Sequence, residues 1–273
     1  MKRLLILLLV PFLSFSQELF NSQSIYDGVG ELYDWGELRD ININFYDSNY
    51  DEFLIQSWLE NTKLTLPASL QIDGLSFDSV AVRYKGNSTF YIPYTLGNPK
   101  KPYNIDFNDY DSNQDLMGYN KLKLANTLFD PTCRKEILGY SIYKNYLPSP
   151  EANFMNLHVN EDFLGLYVNT EAINTSFLDK HFGESNGVFF KCENQDLFGV
   201  SGGSLTPNLD YRGMDSTLYV ESYELKSQSG FKELIDMIYT LNNDIENIKN
   251  HLNVDRVLWY LAVNSCILNA DTY

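Results

Sequence analysis

Cysteine and positive charge are both scarce in this chain. Cys133, Cys192 and Cys266 are the only cysteines in 273 residues. That is too few for a disulfide-built scaffold, and the odd count allows at most one disulfide beside a free thiol. Lys and Arg number 20 against 36 Asp and Glu, a formal net charge of −16. So acidic a molecule lacks the basic footprint that nucleic acid or an anionic lipid surface needs as main partner, although a local basic pocket would suffice for a nucleotide. The three histidines, His158, His181 and His251, show no paired metal-ligand spacing. There is no Walker loop and no Gly-x-Ser-x-Gly elbow. After the first residues no apolar run approaches membrane-spanning length, and neither an internal repeat nor a low-complexity linker interrupts the chain.

What is present describes a folded, exported protein. Hydrophobic residues make up 44% and charged residues 21%, which argues against disorder. The 20 Tyr and 17 Phe suit a packed core with wet aromatic edges. The length fits one large domain or two small ones. Residues 1–16 read as a secretory signal peptide. Lys2 and Arg3 precede the apolar run Leu4–Leu13, and Ser14 and Ser16 form a small-x-small cleavage site. The run is too short to span a bilayer, so the expectation is a secreted, periplasmic or cell-surface protein, its thiols meeting an oxidising environment. Residues 17–37 then form a lead-in.

Periodicity supplies the elements. Ile41, Ile43 and Phe45 alternate with asparagines, as in a strand, and Tyr50–Asn61 reads as a short helix. Ala68–Ile72 and Ser79–Lys85 read as strands joined at Asp73-Gly74. In the second, Val80, Val82 and Tyr84 face one way while Arg83 and Lys85 face the other. Gly, Asn, Ser and Pro punctuate 86–102, which predicts a loop. Tyr103, Ile105 and Phe107 mark a strand, as do Leu122 and Leu124. Asp130-Pro131 predicts a helix start with Asp130 as N-cap. Met155–Val159 and Phe163–Asn169 form a hairpin, followed by a helix over Thr175–Phe182. Val188–Glu193 and Leu218–Lys226 are strand candidates flanking an irregular Gly-rich insert. Two helices close the chain, one beginning near Phe231 and one running from about Val254 to about Leu268, capped by Asn253 or Asp255. Mostly strands first and mostly helices last indicates an α+β fold.

Three patches could carry chemistry. Arg83-Tyr84-Lys85-Gly86-Asn87-Ser88-Thr89 together with Lys100-Lys101-Pro102 gathers cations and small donors suited to phosphate oxygens. The same residues could instead be a solvated strand edge guarded by lysines. Gly165–Glu171 ends a strand in a carboxylate just before a helix, where Glu171 could border a flat ligand or simply pair with that helix. Asn269-Ala270-Asp271 ends an apolar helix in a carboxylate that could accept a proton from a hydroxyl. Asp109, Asp111, Asn113 and Asp115 alternate like a calcium loop. Gln114 stands where Gly is required and Asn120 where a bidentate Glu is required, so a polar turn is the better reading.

Taken in order, these motifs resemble the CotH kinase family, the spore-coat protein H type of atypical protein kinase. The resemblance is carried by Val82-Arg83-Tyr84-Lys85-Gly86-Asn87-Ser88, Lys100-Lys101-Pro102-Tyr103-Asn104-Ile105, Lys121-Leu122-Lys123-Leu124-Ala125-Asn126, Asp130-Pro131-Thr132 with Arg134, and Gly165-Leu166-Tyr167 with Glu171. It covers residues 38–273. It implies a protein-kinase-like, two-lobed fold, with a β-rich N-lobe over about 38–170 and a partial helical C-lobe over about 171–273. The implied activity is transfer of the ATP γ-phosphoryl group to Ser or Thr of a protein substrate, with ATP and Mg2+ as cofactors. The same resemblance makes Arg83, Lys85, Asn87, Ser88 and Lys101 the phosphate-side residues, Lys101 foremost, with Glu171 at the adenine hinge and Asp271 as catalytic base. In the family a magnesium-binding Asp lies in a later Pro-Trp-Asp-like segment that has no counterpart here. No metal ligand is therefore assigned, and the chain reads as a C-terminally truncated fragment. The alternative is a non-catalytic surface scaffold or adhesin that reuses the fold.

Overall fold

The computed structural model describes residues 25–28, 30–192 and 207–269. The signal-peptide region and Asp271 lie outside the described residues. Alternating sequence becomes a closed barrel. Its strands are β1 (Arg39–Phe45), β2 (Leu66–Ile72), β3 (Leu75–Tyr84), β4 (Tyr103–Asp106), β5 (Lys121–Ala125), β6 (Ala152–Val159) and β7 (Asp162–Thr170). They are ordered β1-β2-β3-β4-β5-β7-β6, and β6 returns to pair in parallel with β1 while every other pairing is antiparallel. Because side chains alternate across a strand, one residue in two points inward. Ile41, Ile43, Leu70, Val80, Val82, Tyr103, Ile105, Leu122, Leu124, Met155, Leu157 and Tyr167 form one buried cluster inside the barrel.

Tight turns fix the register. Asp73 and Gly74 both take positive φ, 51° and 78°, which matches the twist of the β2–β3 hairpin. Asn160 and Glu161, at φ 47° and 74°, do the same between β6 and β7, and Asn160 Oδ1 accepts the amide of Phe45 at 2.8 Å. The short β5–β7 ladder is reinforced by buried amides. Asn169 Oδ1 accepts the Lys123 amide at 3.2 Å, and Asn169 Nδ2 donates to Asn153 Oδ1 at 3.1 Å. The N-terminal segment covers one mouth of the barrel with Leu32 and Tyr33, held by a 2.8 Å bond from Asn153 Nδ2 to the Leu32 carbonyl.

Helices pack outside this frame: α1 (Tyr50–Leu59), α2 (Ser88–Thr95), α3 (Lys135–Tyr143), α4 (Thr175–Phe182), α5 (Phe231–Asn243) and α6 (Val254–Ile267). Among the described residues a two-stranded ribbon, β8 (Phe190–Cys192) with β9 (Tyr223–Leu225), stands apart from the barrel. The architecture is thus mixed α and β, rich in sheet.

Three local expectations are corrected. The stretch 86–102 is not all loop, since it contains α2, whose Phe90 is fully buried and stacks on Trp58 at 4.3 Å. Pro93 inside α2 cannot donate to the Thr89 carbonyl four residues back. Asn126 Nδ2 takes that role at 2.8 Å and also donates to the Lys100 carbonyl at 2.9 Å. The third helix begins at Lys135 rather than beside Asp130, because Cys133 adopts φ 56° and interrupts helical winding. Asp130 nonetheless caps it from a distance, accepting the Lys135 amide at 2.7 Å and the Thr132 hydroxyl at 2.6 Å. The strand expected over Leu218–Lys226 contracts to β9, preceded by a 3-10 turn at Ser216–Leu218. The last helix starts as read, with Asn253 Oδ1 accepting the Arg256 amide at 3.0 Å.

Candidate functional site: a cationic face on the barrel

Three adjacent barrel strands carry the cations. On β3, Arg83 lies opposite Asn104 of β4, which lies opposite Lys123 of β5. Lys85 follows β3 by one residue, its amide bonded to the Pro102 carbonyl at 3.1 Å. Lys121 pairs across the ladder with Asp106, to which it is also ion-paired. All four cations alternate with inward residues, Val82 and Tyr84 on β3 and Leu122 and Leu124 on β5, so they project outward. They face a cavity of about 1520 Å³ bounded also by α3, the end of β7 and the β8–β9 ribbon.

The electrostatics of this face are strained. Lys123 is pushed down to about 8, first by burial and then by the charges of Lys85, Lys191, Arg83 and Lys121. Burial also lowers Lys85, with Arg83 adding to the effect and Glu136 of α3 opposing it. Glu136 is held in turn by the Thr170 hydroxyl, which donates to its Oε1 at 2.6 Å. At the rim, Gly86 has φ +80°, a left-handed conformation, and its carbonyl accepts the Trp58 indole N–H at 2.7 Å.

Of the residues expected from sequence, Arg83, Lys85, Asn87 and Glu171 come together on this cavity. Ser88 opens α2 beside it without lining it. Lys101 is elsewhere. It is buried behind the sheet, 2.8 Å from Asp51 and 5.3 Å from the centroid of the Tyr84 ring. Glu171 is buried where β7 ends, its carboxylate accepting the Glu151 amide at 3.1 Å and the Lys180 ammonium of α4 at 3.3 Å. Burial raises its pKa, against the pull of Lys180. Thus it both lines the cavity and pairs with the following helix. Ala172 and Ile173, just beyond it, line the same wall.

Sequence reasoning passed over Lys121, Lys123 and Glu136. The signal for the two lysines was present in Lys121-Leu122-Lys123-Leu124, where strand alternation puts both on the face of Arg83. Glu136 carried no such signal, because its helix start was misplaced by the Cys133 turn. The donor set fits a polyphosphate: clustered ammonium and guanidinium groups that repel each other are relieved by a multiply charged anion. It does not supply a metal centre, since among the described residues no three of His, Cys, Asp and Glu come together to hold an ion. Nor, among the described residues, is any helix long and apolar enough to cross a membrane.

No curated protein matches the chain significantly. The family model described as CotH kinase protein matches residues 82–273, from within β3 onward and including Arg83, Lys85, Lys123 and Glu136. The chain belongs to the CotH kinase family.

Proposed function

We propose that the cavity binds ATP and that the chain belongs to an exported protein kinase of the CotH type, which transfers the γ-phosphoryl group to Ser or Thr of a protein. The observation that carries this reading is the cationic face itself. In a molecule of net charge −16, Arg83, Lys85, Lys121 and Lys123 converge on one cavity, and the pKa of Lys123, lowered first by burial, is lowered further by the charges of the other three. The family supports kinase chemistry in general terms. On this reading the barrel is the β-rich lobe, and the segment after Glu171 begins the helical one.

The roles follow from charge and position. Lys123 and Lys85 would neutralise the phosphates, with Arg83 beside them and Glu136 orienting Lys85 from α3. The rim at Gly86 and Asn87, where α2 begins, would bring backbone N–H groups to phosphate oxygens. The wall at Glu171, Ala172 and Ile173 would border the adenine. Phosphoryl transfer is mostly positioning and charge neutralisation, so these parts suffice on the nucleotide side. Mg2+ would supply charge neutralisation when bound, and the described residues assign it no protein ligands. Asp271 is the proposed acceptor of the substrate hydroxyl proton. Residues 1–16 are proposed as the export leader.

The test begins with binding. Mg-ATP at 100 times its Kd should stabilise the chain by about 2.7 kcal/mol in thermal melts, and Lys123→Ala and Lys85→Ala should abolish that gain. Incubation of the full-length gene product with γ-labelled ATP, Mg2+ and a Ser/Thr-rich protein should then transfer label, and Asp271→Asn should stop it. If Mg-ATP gives no stabilisation, the kinase reading falls and a scaffold that reuses the fold takes its place. If nucleotide binds but no label moves, with or without Asp271, the site is a nucleotide sensor instead.

A further inference from the structure

We propose that a second cavity, of about 400 Å³, is a binding site for an organic cation, a guanidinium or ammonium group carried on an apolar stem. It lies between the N-terminal segment, α3 and the start of β6, and its volume is that of a small-ligand pocket.

The walls supply the apolar part. Tyr33 and Trp35 come from the N-terminal segment, and Ile137 and Tyr140 from one face of α3. Aromatic faces attract cations, and this rim already does so. The Lys144 ammonium sits 5.4 Å from the Trp35 ring centroid and 5.3 Å from that of Tyr26.

The polar part selects the sign of the ligand. Asp27, Asp34 and Glu151 line the cavity against Lys144, so the lining carries an excess of carboxylate. Glu151 is 6% exposed. Its Oε1 accepts the Asp27 amide at 2.6 Å, while Oε2 has no hydrogen-bond partner and its nearest cation, Lys180, stands 3.7 Å away. A buried carboxylate oxygen that has only a long ion pair and no hydrogen-bond donor is costly, and a ligand that donates to it recovers that cost. An anion would meet the carboxylates, and a purely apolar ligand would leave Glu151 as it is. A cation with donors satisfies both requirements.

The electrostatic surroundings give the site a pH signature. Burial pushes Glu151 up to about 7, Lys180 pulls it back, and Asp27 and Glu171 raise it further. Of the other groups around it, Tyr26 and Tyr119 are raised by burial and stay neutral. His181 is lowered to about 4, chiefly by burial, and is also neutral near pH 7. A cation binds the ionised carboxylate, so affinity should climb about tenfold per pH unit below 7 and level off above it.

The experiment titrates the intact chain with L-arginine amide, with a short alanine peptide carrying one arginine, and with citrulline amide, the neutral isostere. Binding is read by calorimetry and by Trp35 emission, which Trp35→Phe identifies. Arginine amide or the arginine peptide should bind at least about tenfold more tightly than citrulline amide and perturb Trp35. Whichever of the two binds better tells a free ligand from a protein side chain. Glu151→Gln should remove the preference over citrulline and the pH dependence together. If that variant fails to fold, Trp35→Ala, at a side chain 49% exposed, should weaken binding alone. Equal affinity for citrulline and arginine amides, no binding of either cation, or an affinity flat between pH 6 and 8 overturns the proposal. No nucleotide enters the test, so its outcome is separate from that of the kinase reading.

Discussion

Replacing Lys123 by Met should make the protein more stable and less able to bind nucleotide. Lys123 has an ordinary value of 10.5 that is pushed down to about 8. At about 1.4 kcal/mol per tenfold, holding it charged in the folded state costs roughly 3 kcal/mol. Met keeps the apolar stem and removes the charge, so at pH 7 the variant should gain about 1–3 kcal/mol in urea unfolding. The sign follows from linkage. A lysine whose folded pKa is depressed burdens the fold fully below about 8 and ceases to burden it as pH rises toward 10.5. The difference between variant and wild type should therefore shrink steadily over that interval, whatever else titrates in both. In parallel, Mg-ATP should no longer stabilise the variant. A variant less stable than wild type at pH 7, or a difference independent of pH, would refute the electrostatic reasoning. Retained nucleotide stabilisation would refute the role of Lys123.

Three further outcomes test the placement of neighbouring groups. Lys101→Met breaks the pair with Asp51, and because Asp51 is 46% exposed the loss in urea unfolding should be only about 1–2 kcal/mol, with Mg-ATP binding unchanged. Gly86→Ala should cost about 1–2 kcal/mol, since its φ of +80° disfavours a Cβ and that atom would meet Thr89 Oγ1. Thr89→Ala in the same background should relieve the collision but not the backbone cost. Asn126→Ala should cost about 1–3 kcal/mol by stripping the Thr89 and Lys100 carbonyls of their donor. Adding Pro93→Ala should recover part of it, because residue 93 then donates to Thr89 itself.

The strands were legible wherever inward and outward residues alternate cleanly, as in Ile41-Asn42-Ile43-Asn44-Phe45 and Val80–Lys85. Helices with side-chain caps were legible too, as at Asn174 and Asn253. What escaped were elements whose local sequence opposes them. The prolines and glycine around α2 argue for loop, and only a side chain 33 residues beyond Pro93 repairs the missing bond. Closure by parallel pairing of β6 with β1 left no local trace. The separation of Lys101 from the other cations was readable in its phase. Lys101 shares the parity of Tyr103, Ile105 and Phe107, all buried in the barrel core, and so belongs behind the sheet with Asp51.

Closure of the barrel also bears on what the cationic face is for. Exposed lysines on strands can serve simply to prevent edge-to-edge pairing. That purpose needs an open edge strand, and the closed barrel has none, although β5 pairs with β7 only at Leu124 and Ala125. Solubility is no better an explanation, because a chain of net charge −16 is kept apart by its acidic groups, and buried, mutually repelling lysines reduce stability without adding to that. Around Lys123, whose neighbouring charges disfavour its own, the cluster is thus a local cost. A folded protein retains such a cost where a ligand repays it. An anion with several charges, bound over Arg83, Lys85 and Lys123, would turn their repulsion into attraction. Its binding should then draw protons onto Lys123 above pH 8.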